Sequence, residues 1–269
     1  MRSISCTLCI STYNRPDALR LCLQSVFLQT VLPDEIVIGD DGSAEDTREV
    51  IAELAKKSPV SVIHVWQPDD GFRLATIRNK SFAKAQGDYI IQIDGDLVLH
   101  RKFVQDHLRW AKPGTFVCGA RSLLSESFTQ KVIDRQLFSL PGFFSGDLDK
   151  KYNAFHAYPL TAINYWMQRG RNNYKYVLGA NMAFWQTDLL KVNGYDEAFS
   201  GWGKEDNELA ARLINAGVAI RFLKFGGIIW HLFHREAPKD NMANNEMMLE
   251  KTMANKLTFA KLGLSSYLK

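Results

Sequence analysis

Residues 35–43, Glu35-Ile36-Val37-Ile38-Gly39-Asp40-Asp41-Gly42-Ser43, combine a strand-length apolar run with an abrupt acidic and glycine-rich end. Strands buried on both faces of a parallel sheet have this apolar character, and ligand-binding residues gather where such strands end. Similar runs occupy Ile4–Ser11, with polar residues over Ser11–Arg15, and Tyr89–Ile93, followed by Asp94-Gly95-Asp96. The three runs predict strands whose polar ends line one crevice.

Segments with helical spacing of apolar residues separate these strands. Pro16 begins one that extends to Gln29, and Glu45–Lys57 and Ile77–Gln86 are two more. Ser61–Trp66 is a further strand-like run. This alternation predicts an α/β fold with a mostly parallel central sheet, flanked by helices, and a nucleotide-type crevice at the carboxyl ends of the strands.

The alternation stops between about Arg121 and Asn173, where aromatic and basic residues are frequent. This stretch is either an irregular insertion that packs its aromatic rings on the main body or a wall that binds an acceptor. The residues concerned are Phe138, Phe143, Phe144, Lys150, Lys151, Tyr152, Phe155, His156, Tyr158, Tyr165, Trp166, Arg169 and Arg171. Regular structure is predicted again over Lys175–Trp185, in a helix near Leu189, in a helix over Glu205–Ala216 and in a helical tail over Asn244–Gly263.

The composition is that of an ordinary globular protein. The 269 residues include 33 Lys and Arg against 29 Asp and Glu, for a net charge of +4. This excess suits an anionic ligand but is too small and diffuse for a nucleic-acid-binding protein. Since we find neither a secretory signal nor a membrane-length apolar run, we expect a soluble, cytoplasmic protein. Lysines in the tail allow weak, peripheral association with the inner membrane face, although packing of the tail against the body is favoured.

Four cysteines are too few for a disulfide scaffold in a chain of this length. Cys6 and Cys9 form a C-x-x-C, but both lie in a predicted strand, where side chains three apart point to opposite faces. We therefore predict two separate core residues and not a metal or redox pair.

The first candidate site is Asp94-Gly95-Asp96. On an extended chain, carboxylates two residues apart project to the same side, and the glycine allows a ligand to approach the backbone. Such a pair suits a hard divalent cation shared with phosphates. The same three residues are also typical of a simple turn.

The second candidate is His231-Leu232-Phe233-His234. Imidazoles three residues apart reach one ion on a turn or a helical arc but face apart on a straight strand. A metal site and a pair of ordinary surface histidines both remain open.

The third candidate is the segment Gly201-Trp202-Gly203-Lys204-Glu205-Asp206-Asn207-Glu208. Two glycines around a tryptophan predict a tight loop that exposes the indole, and the acidic residues begin a helix, where the macrodipole favours carboxylates. Helix capping explains one of these acids. An aromatic ring beside a carboxylate also suits a sugar, whose apolar face stacks and whose hydroxyl gives up a proton.

Together these motifs resemble known enzymes. The segments Ile10–Pro16, Val37–Ser43 and Ile93–Asp96 resemble family 2 glycosyltransferases of the GT-A fold, over residues 1 to about 120. The stretch from Gly194 through Trp202–Glu208 to His231–His234 is similar to the catalytic part of β-1,4-galactosyltransferases and chondroitin polymerases. The second likeness is the more specific, because it joins W-G-x-E-D to a downstream H-x-x-H.

The resemblance implies a role for each motif residue. Donor binding would involve Ser11, Tyr13 against the uracil, Arg15, Asp41 accepting from the uracil N–H, Arg73 near the base or phosphates, Asp94 on the ribose side, and Trp202 stacked on a sugar. Mn²⁺, or Mg²⁺ in its place, would be held by Asp96 and His234, with His231 as a weaker assignment because galactosyltransferases often carry Met there. Glu205 would bind acceptor hydroxyls and Asp206 would be the general base.

The implied activity is metal-dependent, inverting transfer of a hexose or N-acetylhexosamine. The donor would be a UDP-sugar and the acceptor a hydroxyl of a glycan or lipid-linked saccharide, in polysaccharide or surface-glycan synthesis. A single GT-A domain would span 1–269: a nucleotide-sugar half (1–120), an acceptor-side insertion (121–173), a catalytic half (174–243) and a C-terminal helix (244–269). A non-catalytic binding protein of this fold and a histidine–carboxylate metallohydrolase remain alternatives. The sequence indicates neither the sugar nor the oligomeric state.

Overall fold

The computed structural model describes residues 4–138, 140, 145–168, 172–235 and 238–268. The strands are β1 Cys6–Thr12, β2 Glu35–Asp40, β3 Ser61–Trp66, β4 Tyr89–Asp94, β5 Leu97–Leu99, β6 Thr115–Gly119, β7 Ser122–Leu124, β8 Leu148–Asp149, β9 Asn181–Trp185, β10 Ala219–Leu223 and β11 Ile229–His231. The helices are α1 Pro16–Phe27, α2 Glu45–Lys57, α3 Leu74–Lys84, α4 Phe103–Trp110, α5 Glu126–Arg135, α6 Tyr158–Met167, α7 Gln186–Val192, α8 Glu205–Asn215 and α9 Met242–Ala254.

The central sheet has seven strands in the order β10-β6-β9-β4-β1-β2-β3. Its pairings are parallel except those of β9, which runs antiparallel to β4 and β6. Ser11 lies beside both Gly39 and Asp94 in the register, so the polar ends of β1, β2 and β4 meet at one edge. The predicted fold class and the predicted crevice are therefore confirmed.

Two apolar clusters cover the two faces of this sheet. Cys6 belongs to one of them and Cys9 to the other, because alternate residues of β1 point to opposite faces. Both thiols are free and buried, which confirms that the C-x-x-C consists of core residues.

A smaller sheet, in the order β5-β11-β7-β8, lies beside the end of β4. β5 begins directly after Asp94-Gly95-Asp96 and pairs antiparallel with β11, so that Leu97 lies opposite His231. The N–H of Leu232 also donates to the carbonyl of Asp96 at 3.0 Å. This pairing brings two of the sequence motifs, 135 residues apart in the chain, to one place.

The stretch 121–173 is more regular than expected, since it contains β7, α5, β8 and α6. Ser125 begins α5 by accepting the N–H of Phe128, a capping interaction that the aromatic composition obscured. Most residues of α6 are apolar but only the polar Thr161 is buried, so the sequence did not show an apolar buried face. Phe143, Phe144, Arg169 and Arg171 of the predicted aromatic and basic set lie outside the described residues.

The C-terminal tail is helical only in its first part. α9 ends at Ala254, and Lys256 adopts a left-handed conformation, so the predicted helix to Gly263 is wrong. The remainder packs against the body, with Ala260 and Leu264 buried and bonded to the backbone of Val192 and Asn193, as we expected.

Among the described residues, no helix combines the length and the apolar character that crossing a bilayer requires.

Candidate active site

The two carboxylates of Asp94-Gly95-Asp96 serve different partners. Asp94 ends β4 and pairs with Arg78, whereas Asp96 lies in a turn and contacts histidines. The expectation from extended geometry, that both would project to one ion, is wrong because Gly95 and Asp96 form a turn between β4 and β5. The family resemblance implies different roles for Asp94 and Asp96, and in the structure the two carboxylates have different partners.

Asp96, His231 and His234 form a compact cluster. One ligand atom from each lies within 4.8 Å of the others. His231 Nε2 is 3.6 Å from Asp96 Oδ1, and His234 Nε2 is 3.2 Å from Asp96 Oδ2. His231 ends β11 and the chain then leaves the strand, which allows the two imidazoles to approach each other with ring centroids 5.0 Å apart. Arg15, one of the predicted nucleotide residues, donates to Asp96 Oδ2 at 2.7 Å.

The donor atoms of this cluster fit a divalent transition metal. Asp96 Oδ1 is buried and has no hydrogen-bond partner among the described residues. His234 Nδ1 lies 2.7 Å from the carbonyl of Arg235, so Nδ1 carries a proton in both forms of the ring. Nε2 therefore donates to Asp96 Oδ2 in the charged ring and offers its lone pair to a metal ion in the neutral ring. Burial opposes ionisation of Asp96, but the hydrogen bond from His234 and the charges of His231 and Arg15 outweigh it and lower the pKa of Asp96 to about 2. A carboxylate and two imidazoles are suitable ligands for Mn²⁺.

Arg78 connects the two halves of the site. Its side chain is 2% exposed, and its guanidinium lies 3.0 Å from Asp94 Oδ1 and 2.7 Å from Asp206 Oδ1. Its Nη1 is also 3.9 Å from Glu205 Oε1. One buried cation therefore holds a carboxylate from the end of β4 beside the carboxylates that begin α8.

Asp206 is held so that one of its oxygens is committed to the protein. Oδ1 accepts both from Arg78 and from the hydroxyl of Tyr195, at 2.7 Å each. Oδ2 lies against Gly179, where an added Cβ would be only 2.0 Å away. Glycine at position 179 is thus required for this carboxylate position, and Oδ2 remains the oxygen available to a ligand.

Glu205 is a buried carboxylate with too few hydrogen-bond partners to offset its loss of hydration. Its side chain is 8% exposed, and Oε2 has no hydrogen-bond partner among the described residues. Burial, followed by the charge of Asp206, raises the pKa of Glu205. An acid kept in this state, at the first turn of α8, can donate to or accept from a sugar hydroxyl.

Of the predicted nucleotide residues, Asp41 follows β2, Tyr13 follows β1 and Arg73 directly precedes α3. Asp41 Oδ2 accepts the backbone N–H of Arg73 at 3.0 Å, and Oδ1 accepts from Gln67. Burial raises the pKa of the Asp41 carboxyl despite these hydrogen bonds. The hydroxyl of Tyr13 donates to Asp69 Oδ2 at 2.9 Å, and about half of the Tyr13 side chain is exposed, which leaves its ring accessible. The Arg73 guanidinium donates to the carbonyl of Pro68 at 2.7 Å.

Trp202 lies in the predicted tight loop. Gly201, Gly203 and Lys204 all have positive φ angles, and this gives the chain its sharp turn before α8. The amide of Asn245, on α9, donates to the carbonyls of Ser200 and Gly203 and so fixes the loop. Ser11, the remaining predicted donor residue, is buried at the end of β1, and its carbonyl accepts the N–H of Gly95.

Sequence reasoning missed Arg78, Tyr195 and Gly179. A signal for Arg78 was present, because it lies four residues before the buried Phe82 and so places a charge on the apolar face of α3. Tyr195 and Gly179 gave no local signal, since their contacts with Asp206 cross 11 and 27 residues of chain.

Comparisons with known proteins show the family to which the chain belongs. The family model described as glycosyl transferase family 2 matches residues 7–165, and the one described as the N-terminal domain of galactosyltransferase matches residues 161–235. The chain is 24% identical to chondroitin synthase from Escherichia coli, over 82% of the chain and 34% of that protein. It is 28% identical to validoxylamine A glucosyltransferase from Streptomyces hygroscopicus subsp. limoneus, over 78% of the chain and 48% of that protein. The chain thus spans between a third and a half of the length of these relatives.

Solved structures share the fold at low sequence identity. The crystal structure of S. aureus TarS matches 98% of the chain and 41% of its own length, with a TM-score of 0.63 and 14% identity. The mannosyltransferase PcManGT from Pyrobaculum calidifontis, in complex with GDP-Man and Mn²⁺, matches 96% of the chain and 73% of its own length, with a TM-score of 0.61 and 14% identity. These likenesses place the central sheet and its helices among GT-A folds. With a family model that matches more than half of its length, the chain belongs to glycosyl transferase family 2.

Proposed function

We propose that this protein is a metal-dependent, inverting glycosyltransferase that moves a hexose or N-acetylhexosamine from a UDP-sugar to a hydroxyl of a glycan or a lipid-linked saccharide. Polysaccharide or surface-glycan synthesis is the setting that its relatives support, since they include chondroitin and hyaluronan synthases.

The observation that carries the proposal is the bridge made by Arg78. It contacts Asp94, at the strand ends where a nucleotide-sugar would lie, and Asp206, which begins α8. Inverting transfer is a single displacement, in which the acceptor attacks the face opposite the leaving group. A base must therefore lie close to the donor site, and the bridge supports that placement of Asp206.

Asp206 Oδ2 is the atom to which we assign proton removal from the acceptor hydroxyl. Oδ1 is occupied by Arg78 and Tyr195, so the carboxylate cannot rotate away without losing two hydrogen bonds. Glu205, one residue earlier, would orient the acceptor through its unpartnered Oε2. A positioned general base of this kind contributes about 10²- to 10⁴-fold to a rate.

Asp96, His231 and His234 would hold the metal ion. When bound, Mn²⁺ would act as a Lewis acid that stabilises the charge on the departing diphosphate. Asp41, flanked by Arg73 and Tyr13, would accept the uracil N–H, while the accessible ring of Tyr13 would stack on the base.

A thermal-shift panel of UDP, GDP, ADP and CMP, each with and without Mn²⁺, tests the donor assignment. A ligand present at about 100 times its dissociation constant adds roughly 2.7 kcal/mol to stability, which raises the melting temperature clearly. We expect a rise for UDP that requires Mn²⁺. A rise for GDP alone would overturn the donor class, and no rise with any nucleotide would support a binding module or a hydrolase instead.

Variants then separate binding from chemistry. We expect Asp206→Asn to abolish transfer while it keeps the UDP shift, and Asp96→Ala to lose the Mn²⁺-dependent part of that shift. Asp134→Asn, an exposed change on α5, is the matched control and should alter neither the transfer rate nor the UDP thermal shift. An Asp206→Asn protein that retains more than a few per cent of the transfer rate would remove Asp206 from the role of base.

A further inference from the structure

A second group of metal-ligating side chains lies outside the site described above. His100 follows β5, Asp106 lies on α4 and His156 precedes α6, and one ligand atom from each is within 4.8 Å of the others. His156 Nε2 is 3.0 Å from Asp106 Oδ2, and the rings of His100 and His156 stack with centroids 4.8 Å apart. We propose that these three side chains bind a transition-metal ion, for which Zn²⁺ is the best match, at a site separate from the Asp96 cluster.

The donor set and its spacing suit zinc. Two imidazoles and a carboxylate, completed by a water molecule, form a common tetrahedral zinc environment. Ligands at 2.0–2.1 Å from a tetrahedral ion lie about 3.4 Å from one another, so no pair here needs to close by more than about 1.4 Å. Mg²⁺ and Ca²⁺ prefer oxygen ligands and would not favour two imidazoles.

A backbone hydrogen bond and burial hold the carboxylate of this cluster in place. Asp106 Oδ2 also accepts the N–H of Gly227 at 2.9 Å, and the Asp106 side chain is only 6% exposed. Hydrogen bonds of this kind orient a ligating carboxylate. The neighbouring Arg101 and Lys102 are exposed, and solvent screens their charges.

The position of the cluster indicates what the ion would do. β5 and β11 form a short ribbon with Asp96 and His231 at one end, while the N–H of His100 donates to Ile228 at the other end. His156 is the ligand that belongs to the 145–168 segment. A bound ion would therefore attach this segment to the ribbon that carries the first metal cluster, which is a structural role independent of the proposed transferase activity.

Zinc binding to the full chain tests the proposal. The background variant Asp96→Ala/His234→Ala removes the first cluster, and equilibrium dialysis at micromolar free Zn²⁺ then counts the remaining ions. We expect one Zn²⁺ per chain in this background, and none after adding either His156→Gln or His100→Gln. His64→Gln is the matched control, because His64 Nε2 also pairs with a buried aspartate, Asp40, at 3.1 Å, and this variant should still bind one ion.

Cleavage by trypsin after the exposed Lys150 and Lys151 tests the attachment. We expect Zn²⁺ to slow this cleavage severalfold in the background variant and not in the His156→Gln variant. Failure of the background protein to bind Zn²⁺, or equal loss of binding in the His156→Gln and His64→Gln variants, would overturn the site. Zinc binding with an unchanged cleavage rate would overturn its role in holding the 145–168 segment.

Discussion

Arg78 donates a charge-assisted hydrogen bond of 2.7 Å to Asp206 although its own side chain is almost completely buried. A buried cation is tolerated only when carboxylates and hydrogen bonds compensate for its loss of hydration. Here Asp94 and Asp206 contact it directly, and the ring of Tyr195 lies 5.2 Å from the guanidinium carbon. The arrangement of charges, and not the packing of apolar side chains, sets the position of the proposed base.

Removing the Tyr195 hydroxyl tests how far this network controls Asp206. The hydroxyl contacts Asp206 Oδ1 at 2.7 Å and Gln92 Oε1 at 3.0 Å, so Tyr195→Phe should lower the free energy of unfolding by about 1 kcal/mol. We expect the transfer rate to fall at least tenfold, because Asp206 gains freedom to rotate, while the KM for the donor changes little. Steady-state kinetics would measure the transfer rate and the KM, and denaturant unfolding would measure the free energy of unfolding.

Tyr89→Phe is the matched control for that change. Tyr89 is equally buried, but its hydroxyl has no hydrogen-bond partner among the described residues, so its loss should leave stability and activity unchanged or slightly improved. Equal effects of the two substitutions on the transfer rate would contradict a positioning role for Tyr195.

Adding one methyl group at residue 179 should disable the site although no charged residue is substituted. In Gly179→Ala the new Cβ would lie 2.0 Å from Asp206 Oδ2, so the carboxylate must move. Displacement of a catalytic group by about 1 Å costs roughly 10²-fold in rate, and we expect a loss of this size with the UDP thermal shift retained. Gly146→Ala, where an added Cβ meets no atom within 4 Å, should keep full activity. Normal activity in the Gly179→Ala protein would show that the observed position of the Asp206 carboxylate does not control the reaction.

Glu205 should reduce stability at alkaline pH. Its folded pKa is raised to about 7 from an ordinary value of 4.5, mainly by burial. The folded protein therefore holds a proton that the unfolded chain releases, so this contribution to stability is present below pH 4.5 and is lost as pH rises through 7. Glu205→Gln should raise the free energy of unfolding at pH 8 on the order of 1 kcal/mol, with a much smaller effect at pH 5. It should also raise the KM for the acceptor. Lower stability of this variant at pH 8 than at pH 5, relative to the parent, would contradict the assignment.

His107 should make the free energy of unfolding decrease as the pH falls, which is opposite to the effect of Glu205. It is completely buried, with Nε2 2.9 Å from Asn181 Oδ1, and burial lowers its pKa from 6.5 to about 4. The unfolded chain binds a proton in this interval that the folded chain does not, so stability is complete above pH 6.5 and falls as pH decreases towards 4. The expected decrease in the free energy of unfolding is about 3 kcal/mol. Urea unfolding between pH 7.5 and 4.5 measures it, and His107→Gln should flatten this slope even if the variant is less stable at every pH.

Local sequence patterns predicted the central fold well. β2, α2, β3 and β4 lie within about one residue of the segments that apolar spacing indicated, because burial on both faces of a sheet imposes a recognisable apolar run. The patterns failed in α6, where the buried residue is Thr161 and most of the large apolar side chains are exposed, and in the tail after Ala254, where a left-handed residue ends the helix.

The sequence by itself determined the strand ends and therefore the location of the crevice, together with the acidic start of α8. Only the tertiary structure decided that Asp94 faces Arg78 while Asp96 faces His231 and His234, and that Asp106 meets His156. The physical reason is the separation along the chain of the residues that interact. Helix and strand periodicity depends on residues a few positions apart, whereas these ionic contacts join residues 16 to 138 positions apart and form only when β5, β11 and α3 pack around the end of β4.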